Sequence, residues 1–570
     1  MEGFVTFLRD WLGSYGAAWF ERLFLFDKDS PLNFITFYFW GFFAVVLIGY
    51  SFLYPNRAVR NAYLFAVSLF FYYKSSGVFF VILLFSTVVD YLIAFSIDSA
   101  ETPLKRKLWA ALSISINLAI LLFFKYSYFL TDSFNSFFGT DIQYFNPFNA
   151  AANAVFGTEL PVTKLILPVG VSFYTFQTIS YAIDVYRKEI KPVKSIVDFG
   201  FFVTYFPQLV AGPIVRAAEF IPQLYLPYRL NNETFSKAVF WISKGMIKKV
   251  VLADFIGVNF VDRVFENPEL FTGFENLAAL YGYSLQVYGD FAGYTDIAIG
   301  VSLLLGFTLP TNFNAPYKAR NVAEFWKRWH MSLSTWLRDY LYIPLGGNRG
   351  ATWLSWSFYL LLPLLALMKF GWSSFPWVVL VSAGLSILFL LLINRYDKVE
   401  NHMATNANLM LTMLLGGFWH GANWNFVIWG GLNGLALVVF RYWKKISPWE
   451  GNNNWYAVAW TTWLTFSFIS FTRVFFRSPD LATVDHILAR ITGDFGWQYI
   501  PAVVDNYANV FYVIYAGLVV HWIPDRMKAQ ILDSFVRTHV AIKIALVTLV
   551  VFLVYQAMSS DLQPFIYFQF

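Results

Sequence analysis

The stretch "LLGGFWHGANW", residues 414–424, sets His420 between a tryptophan and a glycine inside an apolar run. An imidazole titrates near neutrality, so a histidine in such a place can act as a general base on a hydroxyl. A second histidine, His330 in "RWHMS", has the same left-hand neighbour, Trp329. The chain holds six histidines and no cysteine. Thiol nucleophiles, disulfides and Cys-ligated metals are thereby excluded. No H-E-x-x-H run and no G-x-S-x-G elbow is present, so neither a zinc site nor an α/β-hydrolase triad is expected. A lone histidine in an apolar run is more often a satisfied helix contact than a catalyst. Both readings of His420 stand at this point.

Other polar residues sit where a chain short of charge can least accommodate them. In residues 168–186, Tyr174, Gln177, Tyr181 and Asp184 recur at three- and four-residue steps, one stripe of a helix. In 285–300, Gln286, Asp290 and Tyr294 follow one another at four-residue steps. Facing inward, the two stripes would line a hydrated passage and touch substrate; interhelical hydrogen bonding alone would also explain them. Residues 318–349 join an aromatic face (Trp326, Trp329, Leu333, Trp336, Tyr340) to Lys318, Arg320, Lys327, Arg328, Arg338 and Arg349. An amphipathic helix lying on the membrane accounts for this pattern. Arginines such as Arg328 holding an anionic ligand account for it equally.

The elements that carry these residues are helices made for a bilayer. Of the 570 residues 58% are hydrophobic and 13% charged, against about 25% charged in soluble domains. Apolar runs near the ~20 residues of a membrane-spanning helix recur throughout, and they do not alternate as barrel strands would. Expected spans are 34–53, 61–74, 77–97, 108–130 and 166–186, then, after irregular segments at 199–216, 236–260 and 276–309, a pair at 353–370 and 376–394. Later ones are 406–420, 423–441, 455–475, 508–523 and 541–558. The irregular segments contain turns such as "PQLVAGPIV" and predict broken, re-entrant backbone enclosed by protein. Basic residues at 57, 60, 105–107, 187, 188, 191 and 194 alternate with the acidic connection 131–164, which puts the N-terminus outside the cytoplasm. The formal charge of +6 reads as topology, since no basic stripe suited to nucleic acid stands clear of the apolar runs.

Five stretches together resemble the membrane-bound O-acyltransferase superfamily: "LPVGVSFYTFQTISYAIDVYR", "YFPQLVAGPIVR", "YGDFAGYTDIAIG", "NFNAPYKARNVAEFWKRWHMSLSTWLRDYLYIPLGGNR" and "NLMLTMLLGGFWHGANWNFVIWGGLNG". They fall in the family's order over most of residues 165–435, and are more similar to its bacterial alginate O-acetylation branch than to its D-alanyl transfer branch. The resemblance implies an all-α multi-helix bundle with a central funnel, a donor entering from the cytoplasm and an acceptor on the other face. It implies His420 as the catalytic histidine and His330 as a second functional position. It also implies acetyl-CoA as the acyl donor with no bound cofactor or metal, and a polysaccharide acceptor. A separate extracytoplasmic esterase-like acetyltransferase would complete the transfer, and the chain would sit in lipid as an inner-membrane protein. Around His420, Trp419 and Trp424 would exclude water, Gly417 and Gly421 would let a substrate or backbone approach, and Asn423 would orient a substrate. D-alanyl transfer to an envelope polymer, and transport or flipping without chemistry, are the alternatives.

The expected organisation is an interfacial segment 1–33, N-terminal helices 34–160, a catalytic core 161–441 and C-terminal helices 442–570. His330 and His420 stand further apart than is usual in the family, because residues 351–398 intervene. Two spans in that insertion would return the chain to the side it left and preserve the orientation of His420.

Overall fold

The computed structural model describes residues 24–26, 32–156, 161–162, 165, 167–359, 376, 380 and 397–558. Most of the expected segment 1–33, most of the inserted pair at 353–370 and 376–394, and the last residues of the chain lie outside them. Among the described residues every regular element is helical. Four helical stretches among these residues are long and apolar enough to cross a membrane: Arg57–Ser99, Pro103–Phe138, Trp424–Trp443 and Val540–Ala557. Two further helices, Trp497–Asn506 and Ala508–Trp522, meet at 86°.

Local signals set the N-terminal helices. Thr36 caps Phe37–Leu53, Asn56 accepts from two amides at the start of Arg57–Ser76, and Thr102 followed by a proline opens Pro103–Leu121. Buried polar side chains then tie the helices together. Ser113 and Asn117 donate to Asp90 at 2.6 and 2.8 Å, and Ser86 and Thr178 each donate to Asn117 at 2.9 Å. The cluster joins Phe80–Ser99 and Pro103–Leu121 to Val171–Arg187. With lipid outside there is little hydrophobic drive between helices, and such bonds supply specificity.

The centre is the helix Gly273–Leu304, opened by a reciprocal capping box between Thr272 and Glu275. An interrupted apolar segment was expected at 276–309; the helix instead runs unbroken for 32 residues. Its glycines serve packing and do not break the chain. A Cβ at Gly293 would stand 2.8 Å from the carbonyl oxygen of Gly245, and one at Gly289 2.7 Å from that of Lys248. Helix Asn232–Met246 and the π-helical stretch Ile247–Asp254 therefore lie backbone to backbone against it.

Residues 199–216 do break. Helix Ile196–Thr204 gives way to a single turn at Phe206–Leu209 and then to non-helical chain, with residues 201–215 buried throughout. Irregular backbone is thus enclosed by protein, as lipid requires. The 318–349 segment departs from a surface helix. It divides into Val322–Arg328 and Met331–Leu337, with Trp329 and His330 between them, followed by a π turn at Arg338–Tyr342. Trp329, His330 and Trp336 are buried, so the aromatic face points into the bundle.

Candidate active site

His420 is the last residue of helix Asp397–His420, and Asn423 caps the next helix, Trp424–Trp443. The turn between them is tight because Gly421 faces the ring of Phe426, where a Cβ would stand 2.0 Å from a ring carbon. Gly417 likewise meets the backbone of Phe426 and Gly430. Both glycines thus admit the neighbouring helix, not a ligand. The imidazole of His420 is buried among Trp419, Trp429 and Phe476, with ring centroids 5.0, 5.2 and 5.3 Å away.

Two cavities meet at this ring. One is lined by Lys125, residues 167–173, Val210, Trp419 and His420. The other is aromatic, walled by Phe325, Trp326, Trp329, Trp429 and Phe476, with Asn433, Thr472 and Arg473 as polar members. His420 is the one residue common to both linings. A base placed there can reach a group arriving from either side, which is the geometry of a two-substrate transfer. Each cavity also carries one cation, Lys125 or Arg473, and no carboxylate. Arg473 is held over Trp329 at 4.5 Å and donates to the Tyr317 hydroxyl at 2.5 Å and the Ser284 carbonyl at 3.1 Å.

His330 lies behind this junction and lines neither cavity. It occupies the left-handed region at φ 44°, a conformation that a non-glycine residue keeps only when its surroundings hold it. Its Nδ1 is 3.1 Å from Oδ1 of Asn312, which also accepts from the amide and hydroxyl of Ser332 at 3.1 and 2.9 Å. Phe291 stands edge-on to the ring at 4.6 Å, and Trp419 lies 6.3 Å away.

The model of the membrane-bound O-acyltransferase family matches residues 187–366, a span that includes His330 and ends before His420. A probable alginate O-acetylase of Pseudomonas syringae is 34% identical over 468 residues, covering 80% of this chain and 74% of that protein. The chain belongs to this family. A probable alginate O-acetylase of Azotobacter vinelandii is 36% identical over 402 residues, 70% of this chain and 66% of that protein. A peptidoglycan O-acetyltransferase of Helicobacter pylori is 31% identical over 505 residues, 83% of this chain and 81% of that protein. This membrane protein is thus an acyltransferase by family, with relatives named for O-acetyl transfer.

Within the acyltransferase, the expected site residues divide. His420, Trp419 and Trp329 come together at the cavities. The two stripes are placed elsewhere. Gln286 donates to Asp262 at 3.3 Å, Asp290 pairs with Lys249 at 2.5 Å, and Tyr294 stacks on Phe34 at 4.5 Å. Gln177 donates to the Phe202 carbonyl at 2.8 Å, and the Tyr181 hydroxyl accepts from the Val193 amide at 3.0 Å. Asp184 accepts from Tyr340 at 2.7 Å. Arg328 is paired with Glu324 at 2.8 Å, and Asn423 donates to the Pro479 carbonyl at 2.9 Å while capping its own helix. None of these eight residues lines either cavity.

Lys125 and Arg473 escaped the sequence reading. Lys125 carried a usable signal, being the only charged residue between 108 and 131. An ionisable group inside an apolar span is costly enough to mark a site.

Proposed function

We propose that this acyltransferase passes an acetyl group from a cytoplasmic thioester, acetyl-CoA, toward a hydroxyl of an extracytoplasmic polysaccharide, with His420 as general base. The observation that carries the reading is the position of His420 where the two cavities meet. One cavity would present the thioester and the other the acceptor. The imidazole takes the proton of the attacking hydroxyl as its oxygen bonds to the thioester carbonyl carbon. The carbon–sulfur bond then breaks, and the departing thiolate takes up that proton. No metal is needed, and the indoles of Trp419 and Trp429 keep water from competing as nucleophile.

His330 serves as a positioning residue, since it lines neither cavity and packs against Trp419 beside the junction. The first acceptor hydroxyl belongs either to the polysaccharide itself or to an esterase-like extracytoplasmic partner that completes the transfer. The inner membrane, with the N-terminus outside, is the orientation that brings the donor from the cytoplasm; the alternation of basic loops supports it.

The reading is tested by supplying acetyl-CoA labelled in the acetyl group to inside-out membrane vesicles that contain the full chain. Label should appear in glycan or protein acceptor on the lumenal side and vanish in His420→Ala. Equal labelling in that variant would refute His420 as the base, and absence of labelling in the wild type would refute acetyl-CoA as the donor.

A further inference from the structure

The helical stretch from Pro103 to Phe138 contains a π turn at Leu122–Tyr126. Such turns are rare and concentrate at functional sites. Here the turn faces the end of the helix that carries His420. Lys125 Nζ donates to the carbonyl oxygens of Trp419 and His420 at 2.7 and 2.9 Å. The Tyr126 hydroxyl donates to the carbonyl of Phe418 at 2.8 Å. These are the last three carbonyls of Asp397–His420, and a helix leaves its last four without partners inside the helix. In an ordinary α-helix, neighbouring side chains diverge by about 100°. The widened turn lets two consecutive residues serve one helix end.

We infer that Lys125 and Tyr126 are positioning residues for acyl transfer, holding the helix end so that the His420 imidazole stays at the junction of the two cavities. The inference rests on His420 being the base proposed above.

Capping alone does not account for the choice of residue. Water, or a neutral hydroxyl such as that of Tyr126, satisfies a terminal carbonyl. An ammonium must first be stripped of water, and no carboxylate among the described residues faces Lys125 to offset that cost. What compensates is the partial negative charge of the helix C-terminus, which grips a cation more firmly than a neutral donor. The same side chain reaches further than the backbone. Its Nζ lies 5.8 Å from the centre of the Trp419 ring and 3.5 Å from Ser172 Oγ, and it lines one cavity beside His420. One residue therefore fixes the peptide that bears the base and the indole beside it. The clamp also links the N-terminal helices to the catalytic helix across almost 300 residues of sequence (|i−j| 294 and 295).

The test uses the full-length protein in inner-membrane vesicles, with thiol release from acetyl-CoA followed across donor concentrations. A displacement near 1 Å costs about 100-fold, so Lys125→Met should lower kcat by roughly that factor and leave KM for acetyl-CoA within about threefold. Lys125→Arg, which keeps charge and donors, should recover about tenfold of the loss, and Tyr126→Phe should lower kcat about three- to tenfold. Melting of the purified Tyr126→Phe and Lys125→Met proteins should fall modestly, as the carbonyls lose their donors, with both proteins still folded at the assay temperature. A wild-type kcat in folded Lys125→Met, a loss expressed in KM alone, or a Lys125→Arg variant no better than Lys125→Met would overturn the inference. Where Lys125→Met fails to accumulate, a wild-type kcat in Tyr126→Phe overturns it. His420→Ala in the same vesicles separates the two claims. Activity in that variant removes the base; its inactivity beside a fully active Lys125→Met removes only the clamp.

Discussion

His330 and His420, 90 positions apart in the chain, flank one indole: Trp419 lies 6.3 Å from the first ring and 5.0 Å from the second. The two Trp–His pairs of the sequence are thus one constellation. His420 faces the cavities, and His330 is anchored behind through Asn312. Trp419 also stacks on Phe176 at 5.2 Å.

That anchoring predicts the behaviour of Asn312→Ala. The amide oxygen of Asn312 meets His330 and accepts twice from Ser332, all buried. Removing it strands those groups at a cost of about 1–3 kcal/mol. Thermal melting in detergent should fall, and acyl transfer should fall with it while donor KM holds. Unchanged melting and activity would show that His330 needs no such anchor.

The central helix makes a packing prediction. A methyl at Gly293 would stand 2.8 Å from the Gly245 carbonyl and from the Lys249 amide. Neither backbone atom can step aside, so Gly293→Ala should cost roughly 1–3 kcal/mol by overpacking, and Gly293→Leu should abolish accumulation in the membrane. Quantitative immunoblotting of membrane fractions reads the second outcome directly.

The Asp290 stripe predicts a loss of stability and no change in donor binding. Asp290 pairs with Lys249, which also meets Asp254 at 2.7 Å. Breaking a buried pair from one side costs on the order of 3 kcal/mol, tempered here by the second carboxylate. Asp290→Asn should therefore melt earlier and keep its KM for acetyl-CoA. A raised KM with unchanged melting would instead return Asp290 to the substrate path.

In the aromatic cavity, Arg473 lies over Trp329 and bonds to Tyr317. Arg473→Lys keeps the charge but loses the planar guanidinium, and such replacements at stacked sites are not conservative. Transfer should fall at least tenfold, while Tyr317→Phe, which leaves the Ser284 carbonyl bond of Arg473 in place, should fall less. The comparison is made on initial rates at saturating donor.

Much of this was readable before the fold. Apolar run length indicated a helical membrane protein, and the costly imidazole beside glycine and tryptophan marked His420 as a candidate whose role came from the family resemblance. The same reasoning placed Gln286, Asp290 and Tyr294 on one helical stripe, and there it stopped. A stripe tells which residues share a face, not what faces them. Lys249 lies in the π-helical stretch Ile247–Asp254 and Asp262 directly follows a second one, Gly257–Val261, so no 3.6-residue period describes their register. Lys125 was missed for a related reason, because its partners are backbone carbonyls and leave no mark in residue types. In 318–349 the aromatic pattern was right, but the break at left-handed His330 turned its indoles inward.

The central claim is that His420 promotes transfer of an acetyl group to an envelope glycan. Mass spectrometry of cell-surface glycans from cells carrying the wild-type chain, His420→Ala or no chain tests it most directly. The account predicts O-acetyl groups with the wild type only, with His420→Ala present in the membrane at normal amount. General-base removal alone lowers rates by about 10²–10⁴-fold, enough to empty the product peak. Normal O-acetylation in His420→Ala, or glycans unchanged by loss of the chain, would contradict it.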